Sequence, residues 1–329
     1  MTIAVTGATG FLGSALVTEL VKQGQDVRIL ARDEQKARQQ FGETITIVRG
    51  DITDREQVER VVADATIVYH LVGHLYHPSV PTKLYRKTHV EGTRILLDAC
   101  KERKGQSQLQ RIVHCSTTGV HGITGPAPAA EDAPYAPTNP YEATKLEAEL
   151  LAQQAYKEGL PVSIARPGLV YGPGDLHLLG FFSSIKKGLF RVIDGGKAVL
   201  HPIYIDDMTA AFLLCAERPE ALGRSYNIAG AGLVTIRELA TAIAHAMDRQ
   251  LPGGSIPLWL ANLASDIFAA APGFQGERAP LTRSRVAFLT HSRIYNIQRA
   301  RTELGFTPKV GLEEGMKQTA AWYKKYGYL

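Results

Sequence analysis

The stretch TGATGFLGS, residues Thr6–Ser14, decides the fold, because it places three glycines between a strand and a helix. The apolar run TIAVT precedes it, and the amphipathic run SALVTELVKQG follows it. Such glycines let the chain turn tightly, let a pyrophosphate approach the backbone and let the helix pack closely on its strand. The N-terminus of that helix then presents unpaired N–H groups to an anion. The stretch therefore predicts a dinucleotide site built on Gly7, Gly10 and Gly13, rather than a glycine-rich turn without a ligand.

Further along, short β-branched runs alternate with longer helical patterns such as GTRILLDACKERKG. The strand-like runs are apolar throughout, which indicates strands that are buried on both faces. They read TIAVT, DVRIL, TITIV, TIVYHLV, RIVHCS and VSIAR. This alternation predicts an α/β fold, a Rossmann-type doubly wound parallel sheet with helices on both faces. The Pro- and Ala-rich stretch GPAPAAEDAPYAPTNP is expected to form a loop.

The pattern becomes irregular after about residue 173, which is typical of a smaller lobe. We therefore expect an NAD(P)-binding Rossmann domain over residues 1–172 and a mainly substrate-binding C-terminal lobe over residues 173–329. The two parts should be intertwined, with residues from about 199 to 230 returning strands to the first domain.

Length and composition exclude several classes of protein. The 329 residues suffice for a large core, and 45% hydrophobic with 21% charged residues is typical of a globular protein. No uncharged apolar run reaches the about 20 residues of a spanning helix, and the N-terminus lacks the pattern of a signal peptide. The three cysteines are widely spaced, which favours neither a disulfide framework nor a zinc site, so we expect a reducing cytoplasm.

The net charge of +5 lies in the C-terminal segment, because residues 273–329 hold ten Lys and Arg against four Asp and Glu. A basic segment can face an anionic cofactor, an anionic substrate or a membrane surface. Its basic residues are interleaved with apolar ones, so nucleic acid is not an expected partner. The apolar stretch from Ile256 to Pro272 predicts either a helix packed on the lobe or a lid or interfacial helix. Peripheral membrane contact therefore stays open.

Two residues refine the expected cofactor. The second strand ends at Arg32, where an acid would bind the ribose 2′-hydroxyl of NAD and an arginine suits the 2′-phosphate of NADP. NADP(H) is therefore the preferred cofactor and NAD(H) the alternative, unless Arg32 is an ordinary solvated loop residue. Asp51, after the third strand, stands where a carboxylate can accept from the adenine amino group.

The motif NPYEATK places Tyr141 and Lys145 four residues apart. Asn139 and Pro140 favour a helix start and Glu142 completes an N-x-x-E capping pattern, so the phenol and the ammonium share one helix face. A nearby ammonium stabilises phenolate and lowers the pKa of tyrosine from about 10 toward the working range. On a dinucleotide-binding sheet the pair predicts hydride transfer with tyrosine as the acid-base group. By itself it would also fit a solvated helix start.

A third group should hold the substrate oxygen, and the run HCSTTGVHG offers three hydroxyls where the fifth strand ends. They belong to Ser116, Thr117 and Thr118. The residues alone do not choose between them.

The chain resembles the extended short-chain dehydrogenase/reductase superfamily over essentially its full length. The matching motifs are TGATGFLG, GDITD, HVEGT, CSTTGVHG, YEATK, RPGLVYGPGD, HPIYIDD and ELGFTPKVGLEEGMKQTAAWY. The resemblance implies a catalytic set of Thr117, Tyr141 and Lys145. It implies that Ser116 and Thr118 neighbour the substrate, with Thr118 turning away as structure. Relatives often dimerise through the helices that carry HVEGT and YEATK, so a homodimer is expected.

The resemblance also extends the expected cofactor site along these motifs. That site comprises Gly7, Thr9, Gly10, Phe11, Leu12, Gly13, Arg32, Asp51, Ile52, Leu71, Val72, Gly73, Tyr141, Lys145, Pro167 and Gly168. One departure is His89, where the superfamily usually has Asn; it is expected to be a satisfied buried histidine rather than a proton relay. His74 and His77 follow on a loop over the cofactor, but no third ligand is suggested, so no metal site is expected.

Two further departures concern the substrate. Relatives that act on nucleotide sugars usually have Asn at the position of Leu169, which precedes Val170 here. They also commonly carry an R-x-G-D segment, of which this chain keeps Arg283 without the Gly-Asp. The stretch RPGLVYGPGD resembles the 3β-hydroxysteroid dehydrogenase and sterol-decarboxylating branch. The resemblance therefore implies a small-molecule substrate with a secondary alcohol or a ketone on an apolar, steroid-like or similar body, next to Leu169, Val170 and Arg283.

Three functions stay open. The first is an oxidoreductase acting on an apolar alcohol or ketone, and the second is a nucleotide-sugar epimerase or dehydratase. The third is a non-catalytic NADP(H)-binding sensor or assembly protein. The intact set of Thr117, Tyr141 and Lys145 argues against the third, because a sensor does not need an acid-base phenol.

Overall fold

The computed structural model describes residues 2–77, 79–102, 109–271 and 281–329. Pro272, at the end of the apolar stretch, residues 273–280 of the basic segment and residues 103–105 of a helical pattern lie outside the described residues. The strands are β1 Thr2–Thr6, β2 Asp26–Ala31, β3 Thr46–Arg49, β4 Ile67–His70, β5 Arg111–Cys115, β6 Val162–Pro167, β7 Leu169–Tyr171, β8 Val192–Ile193, β9 Val199–Leu200, β10 Pro202–Tyr204, β11 Ser225–Ile228, β12 Val234–Thr235 and β13 Ser255–Ile256. The helices are α1 Phe11–Lys22, α2 Glu34–Phe41, α3 Arg55–Val62, α4 Thr82–Tyr85, α5 Gly92–Glu102, α6 Pro140–Lys157, α7 Leu179–Lys186, α8 Ile205–Glu217, α9 Ile236–His245, α10 Leu258–Ala270, α11 Arg283–Thr290, α12 Gln298–Leu304 and α13 Leu312–Lys325. A π-helical turn, Arg86–Glu91, joins α4 to α5.

Seven strands form one sheet in the order β3-β2-β1-β4-β5-β6-β11, and every pairing in it is parallel. The predicted doubly wound parallel sheet is confirmed, and all six predicted strands are present in it. The strand order reverses between β1 and β4, and ligands of such sheets bind outside the carboxyl ends at this point. At that edge Thr6 lies beside His70, and His70 lies beside His114.

Both faces of the sheet are covered because successive side chains of a strand point to opposite sides. From β1, Ile3 and Val5 pack into one core with residues of α1 and α8. Ala4 packs into the opposite core with residues of α3, α5 and α6. Strands β1, β4, β5 and β6 are therefore buried on both faces, as their continuous apolar runs predicted. The prediction is wrong for β3, which lies at the edge of the sheet and exposes Thr46 and Arg49.

Helix α6 begins as predicted, but only half of its capping pattern forms. Asn139 accepts a hydrogen bond from the Glu142 N–H at 3.0 Å, and Pro140 is the first helical residue. The Glu142 carboxylate does not return to the cap. It accepts from the backbone N–H and hydroxyl of Thr138, both at 2.7 Å, and from Arg293 at 2.7 Å. Arg293, which is distant in the sequence, binds the Glu142 carboxylate because the C-terminal segment packs against the start of α6.

The second half of the chain builds a lobe from short strand pairs and helices. The pairs are β7 with β10, β9 with β12, and β8 with β13. A second core lies among these elements and includes Phe182, Leu239 and Met316. Strand β11 instead returns to the edge of the main sheet beside β6. Among the described residues, no helix is both long and apolar enough to cross a membrane.

Candidate active site

The glycine turn between β1 and α1 leaves no room for a side chain at Gly7 or at Gly13. Gly7 has φ +77°, and a Cβ there would lie 2.6 Å from the Leu71 carbonyl carbon. A Cβ on Gly13 would lie 2.1 Å from the Gly7 carbonyl oxygen, so the helix packs directly on the strand. Helix α1 has Gly10 at its N-cap, no side-chain cap and no acid in its first turn. Its first N–H groups are thus available to an anion, and the turn fits the pyrophosphate of a dinucleotide.

The ends of β2, β3 and β4 bring a second group of residues together. Arg32 directly follows β2, and its charge acts on both Asp51 and His74. Burial raises the pKa of Asp51, but hydrogen bonds from Thr53 and the positive charge of Arg32 hold it below its usual value. Asp51 is therefore an ionised acceptor close to a cation, which suits the adenosine end of a dinucleotide.

The three predicted catalytic side chains lie together where β5 ends. The Thr117 hydroxyl lies close enough to Tyr141 to lower the pKa of its phenol. Lys145, one turn further along α6, is buried, and its Nζ donates to the Cys115 carbonyl. A Cβ on Gly73 would lie 3.9 Å from that Nζ, so the loop after β4 closes over the lysine. A hydroxyl, a phenol and an ammonium thus meet beside the glycine turn.

The phenol of Tyr141 is held protonated in this arrangement. Burial and the nearby Cys115 thiol raise its pKa, and the neighbouring Thr117 hydroxyl only partly offsets them. The expectation that Lys145 lowers this pKa is not met here, because the ammonium is turned toward the Cys115 carbonyl. Burial also lowers the pKa of Lys145 itself.

The other two hydroxyls of this run do not face the site. Ser116, expected beside the substrate, is 2% exposed and donates to the Glu149 carboxylate at 2.6 Å. Because the Ser116 hydroxyl donates to that buried carboxylate, it does not face a substrate, and Ser116 is corrected to a structural residue. Thr118 is also buried and donates to the Pro167 carbonyl at 3.1 Å, so it turns away from the substrate.

Behind Ser116 lies a buried ion pair that sequence reasoning missed. Glu149 and Arg166 are 0% and 1% exposed, and they are joined at 2.5 Å. The remaining Arg166 donors reach the Glu131 carbonyl and the Tyr135 hydroxyl. The only signal in the sequence was that Glu149 follows Tyr141 and Lys145 at helical spacing. The pair ties α6, β6 and the loop before α6 into one rigid support beneath the site.

The His89 side chain holds the loop that follows β4, and the sequence did not indicate which groups it would bond. The His89 Nε2 accepts from the His74 backbone N–H at 3.0 Å, and its Nδ1 bonds the Thr144 hydroxyl at 2.9 Å. Its ring packs edge-on against the Tyr141 ring with centroids 5.6 Å apart. Burial and the charge of Lys145 lower the pKa of His89 to about 2, so the imidazole is neutral. His89 is the satisfied buried histidine that was expected, and it sits in a π-helical turn.

Tyr85, from the helix before that turn, holds the other end of the same loop. Its hydroxyl accepts from the His77 N–H at 2.8 Å and donates to the Leu75 carbonyl at 3.2 Å. The Tyr85 ring lies 6.3 Å from the Tyr141 ring. Between these anchors, Leu75 is 54% exposed and Tyr76 is 37% exposed. Apolar side chains of this loop are therefore presented on the side of the molecule where the Tyr141 phenol lies.

The remaining predicted cofactor residues are divided between the site and the core. Leu71 and Val72 lie against Gly7, and Gly168 approaches the His201 carbonyl, where a Cβ would lie 2.9 Å away. Pro167 ends β6 at the same sheet edge. In the turn itself, Thr9 precedes the N-cap and Phe11 and Leu12 begin α1. Ile52 instead packs in the core, where Gly92 leaves room for it.

The predicted substrate residues do not all meet. Leu169 and Val170 lie in β7, partly buried against the core of the lobe. Arg283 begins α11 on the surface, where it pairs with Asp266 of α10 at 2.5 Å. Arg283 is therefore paired with Asp266 at the surface and does not lie beside Tyr141. Among the described residues, no cluster of His, Cys, Asp and Glu could hold a metal ion.

Comparisons with known proteins identify the family to which the chain is similar. Residues 3–229 match the model of the NAD dependent epimerase/dehydratase family. A 2-alkyl-3-oxoalkanoate reductase of Stenotrophomonas maltophilia is 30% identical over 98% of this chain and 99% of its own. A 4-hydroxy-2-methyl-3-oxo-4-farnesyl-3,4-dihydroquinoline-1-oxide ketoreductase of Stigmatella aurantiaca is 28% identical over 95% of this chain and 93% of its own. A decarboxylating sterol-4-alpha-carboxylate 3-dehydrogenase of Schizosaccharomyces pombe is 27% identical over 95% of each chain.

Solved structures show the same fold. A UDP-glucuronic acid 4-epimerase from Bacillus cereus, in complex with NAD, superposes with a TM-score of 0.78 over 99% of both chains at 23% identity. A UDP-glucose 4-epimerase from Thermotoga maritima, with UDP-glucose, superposes with the same TM-score over 99% of both chains at 22% identity. At these identities the likeness extends to the fold alone.

Proposed function

Because the chain belongs to the NAD-dependent epimerase/dehydratase family, we propose that it interconverts a ketone and a secondary alcohol on an apolar molecule, with NADP(H) as the preferred hydride carrier. It is an NAD(P)-dependent oxidoreductase of the extended short-chain dehydrogenase/reductase type. The substrate, the preference for NADP(H) and the roles of single residues are the proposal.

The grouping of Thr117, Tyr141 and Lys145 beside the glycine turn carries this proposal. Gly7, Gly10 and Gly13 would hold the pyrophosphate of the cofactor, which supplies or accepts the hydride when it is bound. The Thr117 hydroxyl and the Tyr141 phenol then bind one substrate oxygen, and the phenol moves a proton to or from it.

The protonation state of Tyr141 suits the donation of a proton during ketone reduction. Its pKa is raised mainly by burial, so at neutral pH the phenol carries the proton that a developing alkoxide needs. Oxidation of an alcohol would require phenolate, and the Lys145 ammonium is then the nearest group to stabilise it.

Apolar side chains support an apolar substrate. Leu75 and Tyr76 are exposed on the loop that His89 and Tyr85 hold against Tyr141. Leu169 offers no polar atom to a diphosphate, and a buried charged acceptor without a partner is costly. The named relatives include reductases of alkyl and farnesyl ketones, and similar chemistry is proposed for this chain.

A second candidate is epimerisation or dehydration of a nucleotide sugar. The observation in its favour is the fold, which superposes over nearly the full chain on two sugar-nucleotide epimerases. The third candidate, a protein that only binds NADP(H), predicts cofactor binding without turnover of any substrate.

One experiment separates the three candidates. The purified chain is incubated with NADPH or NADH and, separately, with alkyl, aromatic and steroid-like ketones and with UDP- and GDP-sugars. Ketone-dependent loss of NADPH absorbance is the expected result. Conversion of a nucleotide sugar without net NADPH oxidation would replace this proposal by the second candidate. Tight NADPH binding with no turnover across the panel would favour the third.

We further propose a homodimer formed through α5 and α6, and a cytoplasmic location. On the outer face of α6, Leu150 is 45% exposed, which suits a helix-to-helix contact. Cys100, Cys115 and Cys215 are all buried, and none of them forms a disulfide bond in the described part of the chain, as in proteins of a reducing compartment. Light scattering of wild type and Leu150→Glu tests the dimer, which this substitution should dissociate.

A further inference from the structure

Exposed apolar side chains are concentrated in one small part of the lobe. Among the described residues, the three large apolar side chains with the greatest exposure are Leu189 at 73%, Trp259 at 68% and Ile267 at 59%. Helix α10 carries two of them, together with Leu258, Leu260 and Leu263, which are 39–49% exposed. The exposed apolar residues of this helix, Leu258, Trp259, Leu260, Leu263 and Ile267, are called the α10 face below.

The α10 face points away from the lobe. Trp259, Leu263 and Ile267 are four residues apart, so they form a single stripe along the helix. On its inner side, Ala261 and Ser265 are 1% exposed. Ala261 packs with Ile193 and Val286 in a small separate core. The helix is thus anchored by small residues and leaves its large apolar residues uncovered.

Cations outnumber acids in the chain segments that lead into this part of the lobe. Strand β13, just before α10, pairs with β8, and α11 packs on α10. The segments 179–193, 255–270 and 283–290, which contain these elements together with α7, are all described and hold five Lys and Arg against one acid, while a second acid, Asp194, directly follows β8. The cations are Lys186, Lys187, Arg191, Arg283 and Arg285. The acid, Asp266, is already paired with Arg283 at 2.5 Å.

We propose that the α10 face docks on the surface of an anionic lipid bilayer, with α10 lying in the plane of the interface. A helix of 13 residues is about 20 Å long, too short for a hydrocarbon core of about 30 Å. An apolar stripe with an indole and flanking cations matches the acyl boundary and the anionic headgroups together.

A second copy of the chain fits the same surface less well. A two-fold contact through the α10 face would bring each cationic segment close to its own counterpart. Like charges brought together in this way oppose association, whereas anionic headgroups neutralise them. The charge around the helix therefore favours the lipid surface over self-association.

The test uses flotation with vesicles of phosphatidylcholine alone or mixed with phosphatidylglycerol. Wild type should float with the mixed vesicles, and its binding should weaken in high salt. Because the chain has two tryptophans, Trp322→Phe leaves Trp259 as the only one. Its emission should shift to the blue and be quenched by brominated acyl chains when the mixed vesicles are added.

A matched pair of variants separates docking from general surface apolarity. Trp259→Ser, Leu263→Ser and Ile267→Ser combined should reduce binding to the mixed vesicles by at least about tenfold. The control combines Ile123→Ser, Leu222→Ser and Leu233→Ser, which are 42–47% exposed elsewhere, and should bind as wild type does. Thermal unfolding and NADPH binding of both variants show that they are folded.

Three results would overturn the proposal. One is a wild-type protein that does not float with the mixed vesicles. Another is a variant with Trp259→Ser, Leu263→Ser and Ile267→Ser combined that binds the mixed vesicles as wild type does. The last is light scattering that shows the α10 face joining two copies, with vesicle binding absent. None of these results depends on which substrate the enzyme accepts.

Discussion

At the scale of single residues, Tyr141 and Lys145 lie on one helix face, but the Lys145 ammonium does not lower the pKa of the Tyr141 phenol as expected. The phenol lies close to the Thr117 hydroxyl, while the ammonium bonds the carbonyl at the end of β5. Both groups are largely removed from water, so burial dominates the pKa of each. The proposed chemistry therefore depends on a protonated phenol with a cation one helical turn away.

We predict that Tyr141→Phe lowers kcat/KM by at least about a hundredfold, because general acid-base groups contribute 10²- to 10⁴-fold. The affinity for NADPH should be nearly unchanged, since only the phenol oxygen is lost. Lys145→Met should reduce both turnover and NADPH affinity. Steady-state kinetics and cofactor titration measure the two effects. Tyr156→Phe, exposed on the same helix, is the control, and wild-type rates in Tyr141→Phe would end the catalytic interpretation.

A second prediction concerns the choice between cofactors. Arg32→Ala should lower the affinity for NADPH by about 10- to 100-fold and leave that for NADH nearly unchanged. The reason is that a hydrogen bond to a charged group contributes about 1.5–3 kcal/mol. Titration of both cofactors into wild type and variant measures the ratio. Arg38→Ala, which removes a surface ion pair with Glu43, is the control. An unmoved ratio in Arg32→Ala would make this arginine a bystander.

At the scale of elements, the turn from β1 into α1 depends on close contact between helix and strand. Gly13 stands where a Cβ would overlap the Gly7 carbonyl oxygen, so the first turn of α1 can approach the strand only without it. The loop after β4 is the second such element. His89 and Tyr85 hold it from the neighbouring helices, and it then covers both the glycine turn and Lys145.

Gly13→Ala should weaken NADPH binding and lower the free energy of unfolding by about 1–3 kcal/mol, the usual cost of overpacking. The contact is with backbone atoms, so α1 must move off its strand and the anion site opens. Gly180→Ala in α7 is the control, because no atom lies within 4 Å of its added Cβ. That variant should be as stable as wild type or gain up to about 1 kcal/mol. Urea unfolding and NADPH titration measure both, and equal behaviour of the two variants would contradict the close packing.

At the scale of the whole molecule, neutral histidines are buried together under the site. His70, His89 and His114 are each 1–2% exposed. His70 is bonded at 2.7 Å to the Thr6 hydroxyl. Burial, with a smaller contribution from the charge of Lys145, lowers the pKa of His70 to about 3. The same causes hold the pKa of His114 well below its usual value. Folding therefore depends on these imidazoles staying uncharged.

This burial predicts the direction of the pH dependence of stability. An unfolded histidine has a pKa of about 6.5, above the folded value, so the unfolded chain binds more protons below that pH. Stability is full above about pH 6.5 and falls on acidification toward pH 3, by up to about 1.4 kcal/mol per pH unit for each such histidine. Urea unfolding at several pH values measures this slope.

A variant assigns that slope to the buried group. His70→Asn should make the loss of stability between about pH 6.5 and pH 5 shallower, because one depressed titration is removed. His245→Asn, an exposed site, should leave the slope as in wild type. The assignment fails if the two variants share one slope.

Much of the fold could be predicted because its signals are local. Continuous apolar runs indicated all six strands from β1 to β6, and the glycine triplet placed the first crossover turn. Asn139 and Pro140 marked the start of α6 because capping involves neighbouring residues. The contact of Thr117 with Tyr141 followed from the resemblance rather than from spacing, since 24 residues of chain separate them.

The sequence by itself determined the parallel sheet, the glycine turn and the helix face shared by Tyr141 and Lys145, because periodicity and capping act over a few residues. Only the tertiary structure decided which distant groups meet. It turned Ser116 toward Glu149 and joined Glu142 to Arg293, 151 residues away. It also left the apolar residues of α10 outside the core. The physical reason is that a buried polar or apolar group takes whatever partner the packed elements bring to it, and no local pattern encodes that partner.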